Sequence, residues 1–143
     1  MSVEGMNRMS IKYPALLLTM LVFFLVAGCG GPGGGVPDLD GTEWGLSEMN
    51  GEALPGDVDI NITFSEGQVS GQSACNRYFA EYTQDGSKLS IGLAGSTQMY
   101  CEGLMDYETD YLQALAEVES FELSGDSLKL LDQAGNAILV FRK

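Results

Sequence analysis

Chemistry in this sequence begins with three thiols. Cys29 ends a run of small residues, Ala27-Gly28-Cys29, while Cys75 and Cys101 stand 26 residues apart in a mostly polar stretch. A thiolate can attack a substrate, bind a metal or be oxidised to a bridge. The absence of histidine from all 143 residues removes the Ser-His-Asp and Cys-His nucleophile pairs and the commonest transition-metal ligand. No Cys-x-x-Cys occurs, so Cys75 and Cys101 read first as a structural disulfide, with a redox-active or metal-binding pair as the alternative. In the chain-entropy model, closing such a loop stabilises by about 3 kcal/mol. Beside Cys75, Asn76-Arg77 offers an amide and a cation. Either Asn76 satisfies backbone groups at a turn and Arg77 pairs with an acid, or the two contact a ligand. Glu102, Asp106, Glu108 and Asp110 lack the D-x-[DN]-x-[DN]-G order of a calcium loop, and acids at the first turn of a helix suit its dipole. No metal, cofactor or catalytic set is expected. Asp57 and Asp59 fall on the wet face of a strand, not in the burial that separates the pKa values of catalytic carboxylates.

The setting of Cys29 comes from what precedes it. Arg8 and Lys12 supply positive charge, and residues 13–26 (YPALLLTMLVFFLV) form an uncharged apolar run. That run suits the apolar region of a secretory signal. It falls short of the roughly 20 residues that cross a bilayer. Val26-Ala27-Gly28-Cys29 then resembles the lipobox of bacterial lipoproteins: an aliphatic residue, two small ones, a cysteine. The resemblance implies cleavage before Cys29, a diacylglycerol on its thiol and acylation of its amine, enough lipid for stable anchoring. Gly30, Gly31, Pro32 and Gly33 to Gly35 follow as a flexible tether. The chain thus divides into a signal peptide (1–28), a Gly-rich tether (29–39) and a folded domain (40–143). Gly30 is not the aspartate associated with inner-membrane retention, so the expected location is the outer membrane, facing the periplasm, in a host with two membranes.

Loss of the signal would remove Arg8, Lys12 and Glu4, deepening the net charge from −13 to −14. Such a surface repels phosphate backbones, and nucleic acid is excluded as a partner. In the domain, apolar residues at 58, 60, 62 and 64 alternate with polar ones across 57–64, the period of a half-buried strand. Ser65-Glu66-Gly67-Gln68 predicts a tight turn and a hairpin partner from Val69 to Cys75, thinned at Gly71. Tyr78 to Tyr82, then Leu89, Ile91 and Leu93, continue the strand pattern across the Asp85-Gly86 turn. Residues 120–123, 128–131 and 137–141 add three more strands. Between 105 and 118, Tyr107, Tyr111, Leu112, Leu115 and Val118 follow helical spacing, with Glu108, Asp110 and Glu117 assigned to the opposite, polar face. Short strands with polar turns and one helix before the last strands predict a mainly β fold, a sandwich or barrel. Trp44, Phe64, Tyr78, Phe79, Tyr82 and Phe121 are expected to fill its interior, as in most small barrels.

The motifs fall in a recognisable order: Trp44-x-Leu46, Asn50-Gly51, Ile62-x-Phe64, Gly71-x-x-x-Cys75-Asn76-Arg77-Tyr78, Thr97-x-Met99-x-Cys101, Glu108-x-x-Tyr111-Leu112 and Leu139-x-Phe141. Over residues 40–143 the chain resembles the META domain family, which includes the HslJ-like heat-shock proteins. Ala74 and Tyr100 depart from the family's usual glycine and alanine before the two cysteines, without removing a chemical group. The resemblance implies a small antiparallel β-barrel-like domain with one helix inserted before the last strands. It carries an association with stress responses and no catalytic mechanism. The expected function is a monomeric, non-enzymatic envelope lipoprotein that supports stress tolerance by binding an envelope protein or lipid. The alternative is a lipid- or peptide-binding module resembling the pilot lipoproteins of secretion systems.

Overall fold

The computed structural model describes residues 35–143; the apolar run, Cys29 and most of the tether lie outside the described residues. Ten strands and one helix follow in chain order. They are β1 (Thr42–Met49), β2 (Glu52–Ala53), β3 (Asn61–Ser65), β4 (Gln68–Gln72), β5 (Arg77–Asp85), β6 (Lys88–Ile91), β7 (Gly95–Ser96), α1 (Met105–Ala116), β8 (Ser120–Ser124), β9 (Ser127–Leu131) and β10 (Ala137–Arg142). The strands pair antiparallel in the order β1-β3-β4-β5-β6-β8-β9-β10, and β10 pairs back onto β1. The sheet therefore closes on itself as a ring, which leaves β2 attached to β1 and β7 to β5. This is the mainly β, barrel-like fold that the sequence predicts, with α1 ahead of the last three strands.

Local chemistry sets the turns. Glu66 and Gly67 take φ of 51° and 79° between the paired residues Ser65 and Gln68. Two positive φ values in a two-residue loop match the right-handed twist of the flanking strands. The Asp132 carboxylate closes the turn into β10 by accepting from the backbone N–H groups of Ala134 and Asn136, each at 2.9 Å. The bonds from Asn136, its backbone N–H first and then its side-chain amide, hold the carboxyl below the usual aspartate range.

Alternation in the strands fills the ring. Trp44, Ile62, Phe64, Val69, Tyr78, Leu89, Leu128, Leu130, Leu139 and Phe141 are all buried inside it. The helix covers them with Tyr111, Ala114 and Leu115, packing against β6 and β10. Tyr111 meets Tyr78 and Phe141 edge-on, with ring centroids 5.4 and 6.5 Å apart. The weakest seam is β6 to β8, where one residue pair, Lys88 with Ser120, is in register.

Four expectations need correction. The first strand of the hairpin begins at Asn61 rather than Asp57, although Ile60 still bridges to Ser73 and Val58 still points inward. Phe79 is 60% exposed, not interior, because Tyr78, Ala80 and Tyr82 take the inward positions of β5. Leu93 is 91% exposed because β6 ends at Ile91. Glu108 lies on the buried face of α1, not on the polar one.

Candidate functional site

Two arrangements meet at the start of β5, one inside the ring and one outside. The inner one begins with the disulfide between Cys75 and Cys101, whose Cα atoms lie 5.7 Å apart. It ties the entry to β5 to the loop that leads into α1. The next residue repeats that connection without covalent chemistry. Asn76 is 1% exposed. Its Oδ1 accepts from the Thr97 hydroxyl at 2.8 Å and from Met99 N–H at 2.7 Å. Its Nδ2 donates to Met99 O at 3.0 Å and to Glu108 Oε1 at 2.8 Å. A side-chain amide has two donors and two acceptor positions, so all four are used.

Glu108 completes the arrangement. It is 6% exposed, and its Oε2 accepts the Asn76 backbone N–H at 2.8 Å. The Ser73 hydroxyl lies 3.1 Å from the same oxygen and 2.8 Å from Asn76 O, with one proton to share between them. A carboxylate this deep persists because hydrogen bonds replace its lost hydration. Asn76 was the amide half of the possible ligand contact. The structure gives it an internal role instead, with no polar atom left over for a ligand. Sequence reasoning placed Glu108 on the wrong face, yet a signal existed. Residues 108, 111, 112 and 115 have i, i+3, i+4, i+7 spacing, so a carboxylate in that stripe calls for a buried partner.

One turn of chain away, two phenols share a proton line. Tyr78 donates to Asn61 O at 3.0 Å, so the 2.6 Å contact between hydroxyls has Tyr111 donating to Tyr78. Burial pushes both phenols well above the ordinary tyrosine range.

The outer arrangement uses the alternate residues of the same strand. Arg77 and Phe79 point away from the core. Arg77 shares the lining of a groove with one carboxylate, Asp59. This groove of about 570 Å³ runs across the outer face of β3, β4 and β5, bordered by Arg77 and Phe79 and by Asp59, Asn61, Thr63 and Ser70. Gly71 is part of its floor. A Cβ added there would sit 2.1 Å from Asn61 O, so only glycine admits this approach of β3 to β4. Asn61 uses the approach twice, taking Gln72 N–H on Oδ1 at 3.1 Å and the Tyr78 hydroxyl on its backbone oxygen.

A closed antiparallel ring, one helix over its end and a cysteine-plus-amide clamp at one strand entry define a class of small β domain. The META domain family model matches residues 37–143, and the chain belongs to that family. No curated protein matches the chain. Among solved structures, a protein from Burkholderia xenovorans is similar at 29% identity and a TM-score of 0.61, over 73% of this chain and 83% of that one. A second protein solved by NMR shows 24% identity and a TM-score of 0.59, over 73% and 90% of the two chains. A DUF4847 family protein from Bacteroides vulgatus shares the fold at 17% identity and a TM-score of 0.54, over 73% and 93%.

Proposed function

We propose that the protein is a membrane-anchored envelope lipoprotein whose META domain supports stress tolerance by binding other envelope components rather than by catalysis. The observation that carries this reading is the succession of an uncharged apolar run, Val26-Ala27-Gly28-Cys29 and a glycine-rich tether. Together these would place a folded domain on a lipidated cysteine, a short flexible reach from a membrane surface. Among the described residues no helix is long and apolar enough to cross a membrane. The interior is occupied by Trp44, Phe64, Tyr78, Tyr111 and Phe141, which favours contacts on the outer surface over a ligand held in the core.

Mass analysis of protein extracted from membranes of the native host tests this. The expected N-terminus is a diacylglyceryl Cys29, and Cys29→Ser should move the protein out of the membrane fraction. A mature N-terminus elsewhere, or an unmodified Cys29, would overturn the anchor.

A further inference from the structure

The groove outside β3, β4 and β5 has a composition that the fold itself does not need. Thr63 and Ser70 are register partners, so two hydroxyls stand side by side on the outer face. Asn61 commits Oδ1 to Gln72, which leaves its amide nitrogen to donate outward. Asp59 adds a hydrogen-bond acceptor at one end, and Arg77 a single cation at the other side of the lining. Phe79 is the exposed aromatic among them. Its ring tip rests over Gly95, where an added Cβ would meet Cζ at 2.9 Å. Gly95 therefore lets the ring lie back against β7.

We infer that this groove binds a saccharide bearing one carboxylate. The inference rests on the binding role proposed above and names its site and ligand class. Each feature of the ligand follows from a feature of the lining. A pyranose has one face of polarised C–H bonds, which suits the negative face of an exposed phenyl ring. Its hydroxyls both donate and accept, matching adjacent hydroxyls, an amide and a carboxylate. Arg77 and Phe79 are two residues apart on one strand face, about 7 Å along it. That separation sets a guanidinium beside the stacked ring, where it can pair with a ring carboxylate or an ether-linked one. One cation in the lining, on a protein of net charge −13, sets a limit of one charge: polyanions are repelled by the rest of the surface. A groove of this volume lies in the range of small-ligand sites. An acidic peptide fits less well, because the lining offers a single exposed ring among mostly polar groups.

The full lipoprotein in nanodiscs can be titrated with glucuronic acid, N-acetylmuramic acid, neutral N-acetylglucosamine oligomers and a glutamate-rich peptide, read by ligand-detected NMR. The acidic sugars should bind, the neutral sugar more weakly. Arg77→Gln should weaken the acidic sugars about tenfold while sparing the neutral one. Phe79→Ala should weaken both. Gly95→Ala, which displaces the ring without removing it, should reproduce Phe79→Ala in part. Glu122→Gln on β8 should change nothing. No saturation by any sugar, binding indifferent to Arg77 and Phe79, or preference for the peptide would overturn the site. The Cys29 lipid is read separately by mass. A lipidated protein that ignores sugars sinks this site alone, and an unlipidated one that binds them supports the site while sinking the anchor.

Discussion

Asn76 and Arg77 are neighbours in sequence and opposites in structure. The first is buried and has every donor and acceptor engaged inside the protein; the second is exposed on the rim of a groove. Asn76 sits in the bend just before β5, and from Arg77 onward the period of the strand sets the division, since successive side chains leave opposite faces of the sheet. Tyr78 and Phe79 repeat the division one step on. A compact motif such as Cys75-Asn76-Arg77-Tyr78 therefore combines two kinds of residue: those that close the domain and those that the closed domain displays. The comparison can be tested by asking whether substitutions on the two faces have separable effects.

The largest effect is expected from Asn76→Ala. It strands the buried Glu108 Oε1 and takes a partner from the more exposed Met99 N–H, Met99 C=O and Thr97 hydroxyl; a buried group left unpaired costs roughly 1–3 kcal/mol, and a charged one more. Some of those groups will find water, so a loss of about 3 kcal/mol or more is expected in urea unfolding. A loss below about 1 kcal/mol would show that the amide is not the clamp its geometry indicates. Breaking the disulfide by Cys75→Ser with Cys101→Ser comes next, at about 3 kcal/mol or less. The two lesions should not be additive. Asn76 and Cys75 tie the same loop to the same strand, so a triple variant tests whether the clamp and the bridge share their stabilisation.

Much of this division was legible before the fold was known. Alternation marks Tyr78, Ala80 and Tyr82 for one face of β5, and that same alternation already assigns Phe79 to the other. Placing Phe79 in the core let its hydrophobicity override its position. The turn at Glu66-Gly67 and the helix at 105–116 follow from local chemistry and were read within a few residues. The stripe at 108, 111, 112 and 115 marks Glu108 for the buried face, but nothing in it names the partner, Asn76, 32 positions earlier. Periodicity within one element carries no record of a partner in another. The groove was hidden for the same reason: Asp59, Thr63, Ser70 and Arg77 come together only through the pairing of β3, β4 and β5.

Tyr78→Phe probes the boundary between the two faces with a smaller change. It removes one hydroxyl, leaving Asn61 O and the Tyr111 hydroxyl without their partner, at a cost of about 1–2 kcal/mol. The pH dependence has a definite sign. Both phenols are held above the value of about 10 that they would have in the unfolded chain. Their contribution to stability is therefore complete below that pH and is lost as pH rises through the folded-state values. Tyrosinate absorbance near 295 nm should show these two phenols ionising only as the domain unfolds. Two buried phenols titrating in a folded protein would break the assignment.

The smallest effect on stability belongs to the outer face. Arg77→Gln and Phe79→Ala alter side chains that project from a finished sheet, and both should leave urea unfolding within about 0.5 kcal/mol of the parent. Phe79 is the stricter test, because its ring does touch Gly95. If that contact holds β7 onto β5, Phe79→Ala will destabilise the domain measurably and the residue belongs with the clamp. If the ring is only displayed, stability will not move and sugar affinity will. The two measurements on one variant thus decide which side of the comparison Phe79 stands on.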